Sequence, residues 1–157
     1  MLDTGYDNLK PLIKNRACGY SISNGKLTNA EFFDRSNLQG ADGLYSTVED
    51  LYLWDRSLYT EVLVKKQTLN KIFTAYPPAK NYGYGWTIND GEVHHFGRMD
   101  GFYTCISRGI DDNSTIIILS NIQQSPIADI YRDLSDISKG KECKPPSDLS
   151  QIEIDPR

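Results

Sequence analysis

The spacing of apolar residues changes from helical to strand-like near residue 84 and stays strand-like to residue 120. Four stretches with strand composition follow one another, separated within each pair by the turn-forming sequences Asn89-Asp90-Gly91 and Asp111-Asp112-Asn113. The four stretches are 84–88, 92–96, 102–108 and 114–120. Turns of this kind join antiparallel neighbours, so the segment predicts an antiparallel sheet. The run Ile116–Leu119 is apolar on both faces, which predicts a central strand covered by helices.

Helical segments lie on both sides of this region. Residues 46–74 carry apolar residues at helical spacing, and Ser46 with Glu49 forms an S-x-x-E sequence typical of a helix N-terminus. Later in the chain, Ser125 is expected to cap a helix that begins at Pro126 and ends at residue 138. Its apolar stripe comprises Ile127, Ile130, Tyr131, Leu134 and Ile137. Together these elements predict an α+β fold, an antiparallel sheet flanked by helices.

The two ends of the chain have less regular sequence patterns. Residues 1–42 have loop composition, apart from a hairpin in which Asn24-Gly25 joins Tyr20–Ser23 to Lys26–Thr28. Residues 141–157 contain three prolines and few apolar residues, which is typical of a linker or tail. The predicted organisation is therefore one domain over residues 1–140, followed by this tail.

Composition excludes several classes of partner. The chain has 17 Lys and Arg against 21 Asp and Glu, a net charge of −4, and no basic run that would bind nucleic acid. The longest apolar run is far too short for a membrane span, so no membrane segment is expected in this chain. The three cysteines are scattered and form no C-x-x-C pair, so no metal site, disulfide framework or cofactor is expected.

The only two histidines, His94 and His95, are adjacent in a predicted strand. Successive side chains on a strand point to opposite faces, so at most one of the two faces a given cleft. His95 begins the sequence His95-Phe96-Gly97. A glycine inside a strand weakens it, and often marks a place where a ligand or another backbone approaches closely. His95 is therefore the better candidate for a functional group, although a structural pair of histidines is the alternative.

Five stretches have the form of motifs that occur together in one family. They are Met1–Tyr6, similar to the end of PLGMxDTGY; residues 41–51, similar to AGGLYSTxxDL; Tyr82–Trp86, similar to YGYGW; His95–Phe102, similar to HxGxxxGF; and Ile116–Asn121, similar to IIVLSN. In this order, over roughly residues 1–140, they resemble the serine β-lactamase-like hydrolases. That family includes class C β-lactamases, penicillin-binding DD-peptidases and related esterases. The resemblance implies the C-terminal part of their fold, and an extracellular or cell-envelope location.

The resemblance also implies a catalytic set in three parts. The family uses S-x-x-K for the nucleophile, Y-x-N or S-x-N for proton transfer, and K-T-G or H-x-G on a strand beside the cleft. His95 would take the Lys/His position of the third motif, Gly97 the close-packed glycine, and the backbone N–H of Arg98 one oxyanion donor. Tyr82 and Tyr84 would line the mouth of the pocket and contact substrate, with packing in the core as the alternative.

The third motif departs from the family at Phe96, where Ser or Thr is usual. A phenyl ring cannot hydrogen-bond a substrate carboxylate, so an apolar ester or peptide-like substrate is favoured if the ring faces the cleft. In the alternative, strand alternation turns this ring into the core, away from His95.

The first two motifs have matches by letters alone. Ser23-Asn24-Gly25-Lys26 matches S-x-x-K but contains a hairpin turn, and Tyr6-Asp7-Asn8 matches Y-x-N but lies in the wrong motif.

The sequence therefore predicts part of a serine hydrolase that acts on a small amide or ester substrate through an acyl-enzyme. Its nucleophile would lie on an upstream N-terminal segment of the same parent chain, which makes that segment the expected partner and the isolated chain inactive. One alternative is a non-catalytic binding or structural module derived from the same fold. Another is a complete small enzyme that uses Ser23 and Lys26.

Overall fold

The computed structural model describes residues 1–7, 12–33 and 40–143. The predicted tail thus lies almost entirely outside the described residues, as does Asn8 of the Y-x-N match. The strands are β1 (Gly5–Tyr6), β2 (Tyr20–Ser23), β3 (Lys26–Asn29), β4 (Leu44–Tyr45), β5 (Thr87–Asn89), β6 (Glu92–Met99), β7 (Phe102–Gly109) and β8 (Thr115–Ser120). The helices are α1 (Val48–Ser57), α2 (Lys66–Ile72) and α3 (Ile127–Ser138).

A four-stranded sheet with the order β5-β6-β7-β8 forms the main strand layer of the described chain, and it gives the α+β class that the sequence predicts. Each strand follows its neighbour through a short turn. The turn between β6 and β7 is Asp100-Gly101, where both residues have positive φ, as a tight two-residue hairpin requires. Strand β5 begins at Thr87 rather than at residue 84. The chain before it forms a turn in which the Gly83 N–H donates to the carbonyl of Trp86.

The position of β8 corrects the prediction of a central strand. Within the described sheet β8 has one neighbouring strand, β7, and Leu119 is 40% exposed. A strand that is apolar on both faces indicates that both faces of the sheet are covered there. It does not indicate whether the strand has one or two neighbouring strands. The described residues supply no second neighbour for β8.

The described chain divides into two compact units, and strands β6, β7 and β8 each run from one unit into the other. The first unit contains residues 1–7, 44–96 and 105–117. Its core is formed by four buried apolar residues at the end of α1, in α2, just before β5 and in β6: Leu58, Leu69, Trp86 and Val93. The Trp86 ring stacks on Trp54 with centroids 6.0 Å apart, so α1 is fixed to the segment that leads into β5.

Helix α1 begins one residue later than the S-x-x-E sequence predicts. Its N-cap is Thr47, whose hydroxyl accepts from the Asp50 N–H, so the capping sequence is Thr47-x-x-Asp50. The Ser46 hydroxyl instead lies 2.7 Å from the hydroxyl of Thr4, which also donates to the Asp50 carboxylate. These bonds connect the short pair β1–β4 to the helix that follows it.

A fully buried carboxylate, Asp55, lies on the inner side of α1. Its Oδ2 accepts from Arg56 and from the Thr115 hydroxyl at 2.7 Å, and its Oδ1 lies 3.2 Å from Arg108 Nε. The guanidinium groups of Arg56 and Arg108 also lie 4.4 and 4.1 Å from the ring centroid of Tyr59. Apolar periodicity does not predict this cluster.

The second unit contains the described parts of residues 8–43, 97–104 and 118–157. The predicted hairpin is present as β2 and β3, where Ser23 pairs with Lys26 across Asn24-Gly25. Both turn residues have positive φ, as the Asn-Gly sequence predicts.

Helix α3 also begins later than the sequence predicts. Its N-cap is Pro126, which provides no side-chain hydrogen bond, while the Ser125 hydroxyl lies 2.6 Å from that of Ser120. The first residue of the apolar stripe, Ile127, is 1% exposed, whereas Leu134 and Ile137 are 40% and 55% exposed. The described residues therefore cover one end of the stripe and leave the other end open to solvent.

Candidate functional site

Strand β6 carries the predicted H-x-G motif, His95 to Gly97, and Arg98, the residue that follows it. The imidazole of His95 is exposed, and Gly97 follows on the same face because side chains alternate along a strand. The register with β5 ends at the pair Thr87–His94. Strand β6 therefore continues past the last paired residue of β5 from His95 onward, and this leaves the histidine beside an open stretch of strand.

Tyr82 is the predicted site residue that the structure brings to His95. The phenol oxygen lies 3.2 Å from His95 Nδ1, and the two rings are tilted by 56° with centroids 6.3 Å apart. This geometry is a hydrogen bond rather than a stack. Both side chains are accessible to solvent, so a ligand can reach the pair.

Tyr84, the second tyrosine predicted to contact substrate, has a different environment. Its ring stacks on Tyr76 with centroids 5.1 Å apart, and the side chain is 58% exposed. The Tyr84 hydroxyl also raises the pKa of Tyr76 through a hydrogen bond. No contact of Tyr84 with His95 is among those of the described residues, so its substrate role stays a prediction.

Phe96 lies on the opposite face of β6 from His95. Its ring makes an edge contact with His94, with centroids 5.4 Å apart. This is the orientation that strand alternation predicts when Phe96 faces away from the imidazole of His95. Burial lowers the pKa of His94, and the Glu92 carboxylate, 3.7 Å from Nδ1, opposes that effect. His94 thus belongs to the inner face of the strand.

Gly97 is packed closely against the neighbouring strand. A Cβ atom at this position would lie 3.0 Å from the Thr104 hydroxyl, which donates to the Gly97 carbonyl at 3.4 Å. The sequence predicts a close approach by a ligand or another backbone, and the close neighbour in the structure is this threonine. Thr104 was missed, although counting back from the Asp100-Gly101 turn places it opposite Gly97.

The side chain of Arg98 is held by Gln123. Arg98 Nε donates to the Gln123 carbonyl at 2.9 Å, and the guanidinium lies 5.3 Å from the ring centroid of Tyr103. The Gln123 side chain also accepts from the Gly101 N–H, so one residue fixes both Arg98 and the β6–β7 turn. Sequence reasoning missed Gln123, and no pattern in the chain signals its role.

Ser23 and Lys26, the S-x-x-K match, are the pair that flanks the turn of the β2–β3 hairpin. They are not on a helix, whereas the family motif requires a helical turn that brings the hydroxyl and the amine onto one face. This geometry argues against the complete small enzyme. Within the described ranges, no cluster of three or more His, Cys, Asp or Glu could hold a metal ion.

A cavity of about 240 Å³ lies in the first unit, at the ends of α1 and α2. It is lined by Leu58, Tyr59, Thr60, Glu61, Lys66, Leu69, Asn70, Phe73, Arg108 and Ile110. None of the predicted site residues lines this cavity, so it is separate from the H-x-G strand. No helix in the described part of the chain is long and apolar enough to cross a membrane.

Comparisons with known proteins identify the fold. The chain is 29% identical over 109 residues to PbpX of Bacillus subtilis (strain 168), which is named as a penicillin-binding protein, and this match covers 69% of the chain and 28% of PbpX. Penicillin-binding protein 4* of the same organism is 28% identical over an alignment of 99 residues, and this match covers 55% of this chain and 21% of that protein. The crystal structure of FmtA from Staphylococcus aureus matches with a TM-score of 0.74 at 18% identity, over 89% of this chain and 39% of FmtA. No protein-family model matches the chain.

These matches confirm the predicted resemblance and the α+β fold. The chain has the penicillin-binding/β-lactamase-like fold over the part that aligns. It spans about a quarter of the length of the curated relatives that it matches.

Proposed function

We propose that this chain, which has part of the penicillin-binding/β-lactamase-like fold, forms one side of the acyl-transfer site of a serine hydrolase. His95 would stabilise charge near the reacting carbonyl, Gly97 would keep the strand close-packed, and the backbone N–H of Arg98 would be an oxyanion donor. The observation that carries this proposal is the accessible His95-x-Gly97 segment on the part of β6 that extends past β5.

The nucleophile of this site would come from an upstream segment of the same parent chain. Ser23 and Lys26 flank a hairpin turn, so they are unsuited to the helical S-x-x-K arrangement. The exposed stripe residues Leu134 and Ile137 of α3 support the same proposal, because apolar side chains at this spacing are normally covered. On this view the isolated chain does not turn over an amide or ester by itself.

The substrate proposed for the complete site is a small amide or ester that forms an acyl-enzyme. The serine hydroxyl attacks the carbonyl carbon, the leaving amine or alcohol departs with a proton, and water then releases the acid. Phe96 lies with His94 on the face of β6 opposite His95. We therefore expect the side chain at position 96 to have no part in selecting the substrate, although the family usually has Ser or Thr there.

The test uses a fluorescent penicillin and a nitrophenyl ester. We expect neither reagent to label or react with the 157-residue chain. The joined protein is this chain connected to the segment encoded upstream of it, and we expect the fluorescent penicillin to label that protein. In that joined protein, His95→Ala should lower the acylation rate by about 100-fold, the lower end of what a positioned catalytic group contributes. His94→Ala, on the other face of the strand, is the matched control.

Three outcomes separate the competing functions. Stoichiometric acylation of the isolated chain at Ser23 would overturn the proposal in favour of a complete small enzyme. Reversible binding by the joined protein, with no covalent label, would favour a binding module derived from the same fold. An unchanged acylation rate in His95→Ala would remove His95 from the site.

A further inference from the structure

The contact between Tyr82 and His95 defines which ring nitrogen of the histidine remains available. The phenol oxygen lies 3.2 Å from Nδ1, and this is the hydrogen bond of the Tyr82 side chain that the described residues show. Nε2, on the far side of the imidazole, is the nitrogen that this contact leaves for a ligand. The orientation of the ring is therefore tied to the position of one phenol.

The backbone of Tyr82 is itself fixed. Its carbonyl accepts from the Tyr76 N–H at 3.1 Å, and it forms an antiparallel bridge with Thr87 of β5. Thr87 in turn pairs with His94, the residue before His95 on β6. Backbone contacts thus connect Tyr82, through Thr87, to the strand that carries the histidine.

The phenol of Tyr82 can donate to Nδ1 or accept from a protonated Nδ1, so the direction of this hydrogen bond depends on the tautomer of His95. A phenol is a good O–H donor, and the unprotonated nitrogen of a neutral imidazole is a good acceptor. When Nδ1 accepts, the single proton of the neutral ring is on Nε2. A donating phenol therefore selects the tautomer in which Nε2 carries the proton, and Nε2–H is then the hydrogen-bond donor of the ring.

We propose that Tyr82 is a positioning residue that holds His95 in its Nε2–H tautomer, so that the imidazole donates a hydrogen bond to the substrate instead of accepting a proton from it. The role of the donor toward a substrate rests on the proposed function, whereas the tautomer itself does not. In the acyl-transfer site, an Nε2–H donor would stabilise the negative charge that develops on the carbonyl or leaving-group oxygen. The proton transfers would then be left to groups outside this chain.

Nitrogen NMR of the 157-residue chain tests the tautomer without any activity. At about pH 8.5, where an ordinary histidine is neutral, long-range spectra distinguish the protonated from the unprotonated ring nitrogen. We expect the proton of His95 on Nε2. In Tyr82→Phe, the Nδ1 resonance should move to that of an unbonded acceptor nitrogen and the Nδ1–H tautomer should become populated. Because the chain has only two histidines, His94 serves as the internal reference.

The matched control is Tyr76→Phe, which removes the Tyr76 hydroxyl but keeps the ring that stacks on Tyr84 and the backbone bond to Tyr82. It should leave both resonances of His95 unchanged. A wild-type proton on Nδ1, or His95 signals that do not move in Tyr82→Phe, would overturn the inference.

The joined protein provides the catalytic readout. There, Tyr82→Phe should lower kcat by about tenfold with little change in KM, because a freely rotating ring is in the correct orientation for less of the time. A change in KM alone would overturn the positioning role. Absence of acylation in the unmodified joined protein would instead overturn the proposed function, while the NMR result would still decide the tautomer.

Discussion

The buried carboxylate of Asp55 offers a stability test that is independent of any activity. Asp55→Asn keeps the shape of the side chain but removes the charge that faces Arg108, whose side chain is 3% exposed. A buried cation that loses its partner costs about 3–5 kcal/mol in the free energy of unfolding. Arg56 is 31% exposed and can be solvated, so its lost pair adds only about 0–1 kcal/mol. The expected loss is therefore about 3–6 kcal/mol, a large part of the 5–15 kcal/mol typical of a domain.

Urea unfolding followed by tryptophan fluorescence measures this loss, since Trp54 is adjacent to Asp55 on α1. Asp129→Asn is the matched control. Its carboxylate lies 2.6 Å from Arg132, but both side chains are more than half exposed, so less than about 1 kcal/mol should be lost. Replacing Asp55 by Asn and Arg108 by Met together should recover most of the stability, because the cation that remains without Asp55 is Arg56, which is 31% exposed and can be solvated. A loss below about 1 kcal/mol in Asp55→Asn would refute the argument.

Three further predictions concern a thiol, a histidine and a turn. Burial raises the pKa of Cys105 to about 12, so native-state alkylation followed by mass spectrometry should modify exposed Cys18 first and Cys105 last. Burial lowers the pKa of His94, so at mildly acidic pH the unfolded chain binds more protons than the folded chain. The free energy of unfolding, measured with urea, should therefore fall as the pH drops below about 6.5, and it should fall less in His94→Gln. Gly101→Ala should destabilise by more than about 1 kcal/mol, because its Cβ would lie 2.6 Å from backbone atoms at positive φ, whereas Gly25→Ala, with open space around it, should cost less.

Turn chemistry made much of the fold predictable. In the three predicted turns, Asn24-Gly25, Gly91 and Asn113 adopt the positive φ values that their residue types favour, and such turns fix both the pairing and the direction of the strands beside them. The five motif stretches also predicted the fold. They include turns and strand ends, where few residue types fit the backbone, so their sequences are recognisable. Helix starts were less accurate: Thr47 competes with Ser46 for the same capping position, and tertiary contacts of Ser46 decide the outcome.

The parts that could not be predicted depend on residues far apart in the chain. The pair Asp55–Arg108 joins a helix to a strand, and no periodicity connects two residues at that separation. The contact of Tyr82 with His95 depends on where the loop before β5 folds back, which local sequence does not specify. The edge position of β8 depends on what else pairs with the sheet, so the apolar run at Ile116–Leu119 could not reveal it.

Among the described residues β8 has one side without a neighbouring strand, and this has a practical consequence for work on this chain by itself. Amide and carbonyl groups on the outer strand of a sheet can pair with another molecule, which makes that strand a starting point for aggregation. Leu119, 40% exposed on this strand, adds an apolar contact. Leu119→Lys would introduce charge there, and we expect light scattering to show less aggregation of this variant than of the unmodified chain at equal concentration.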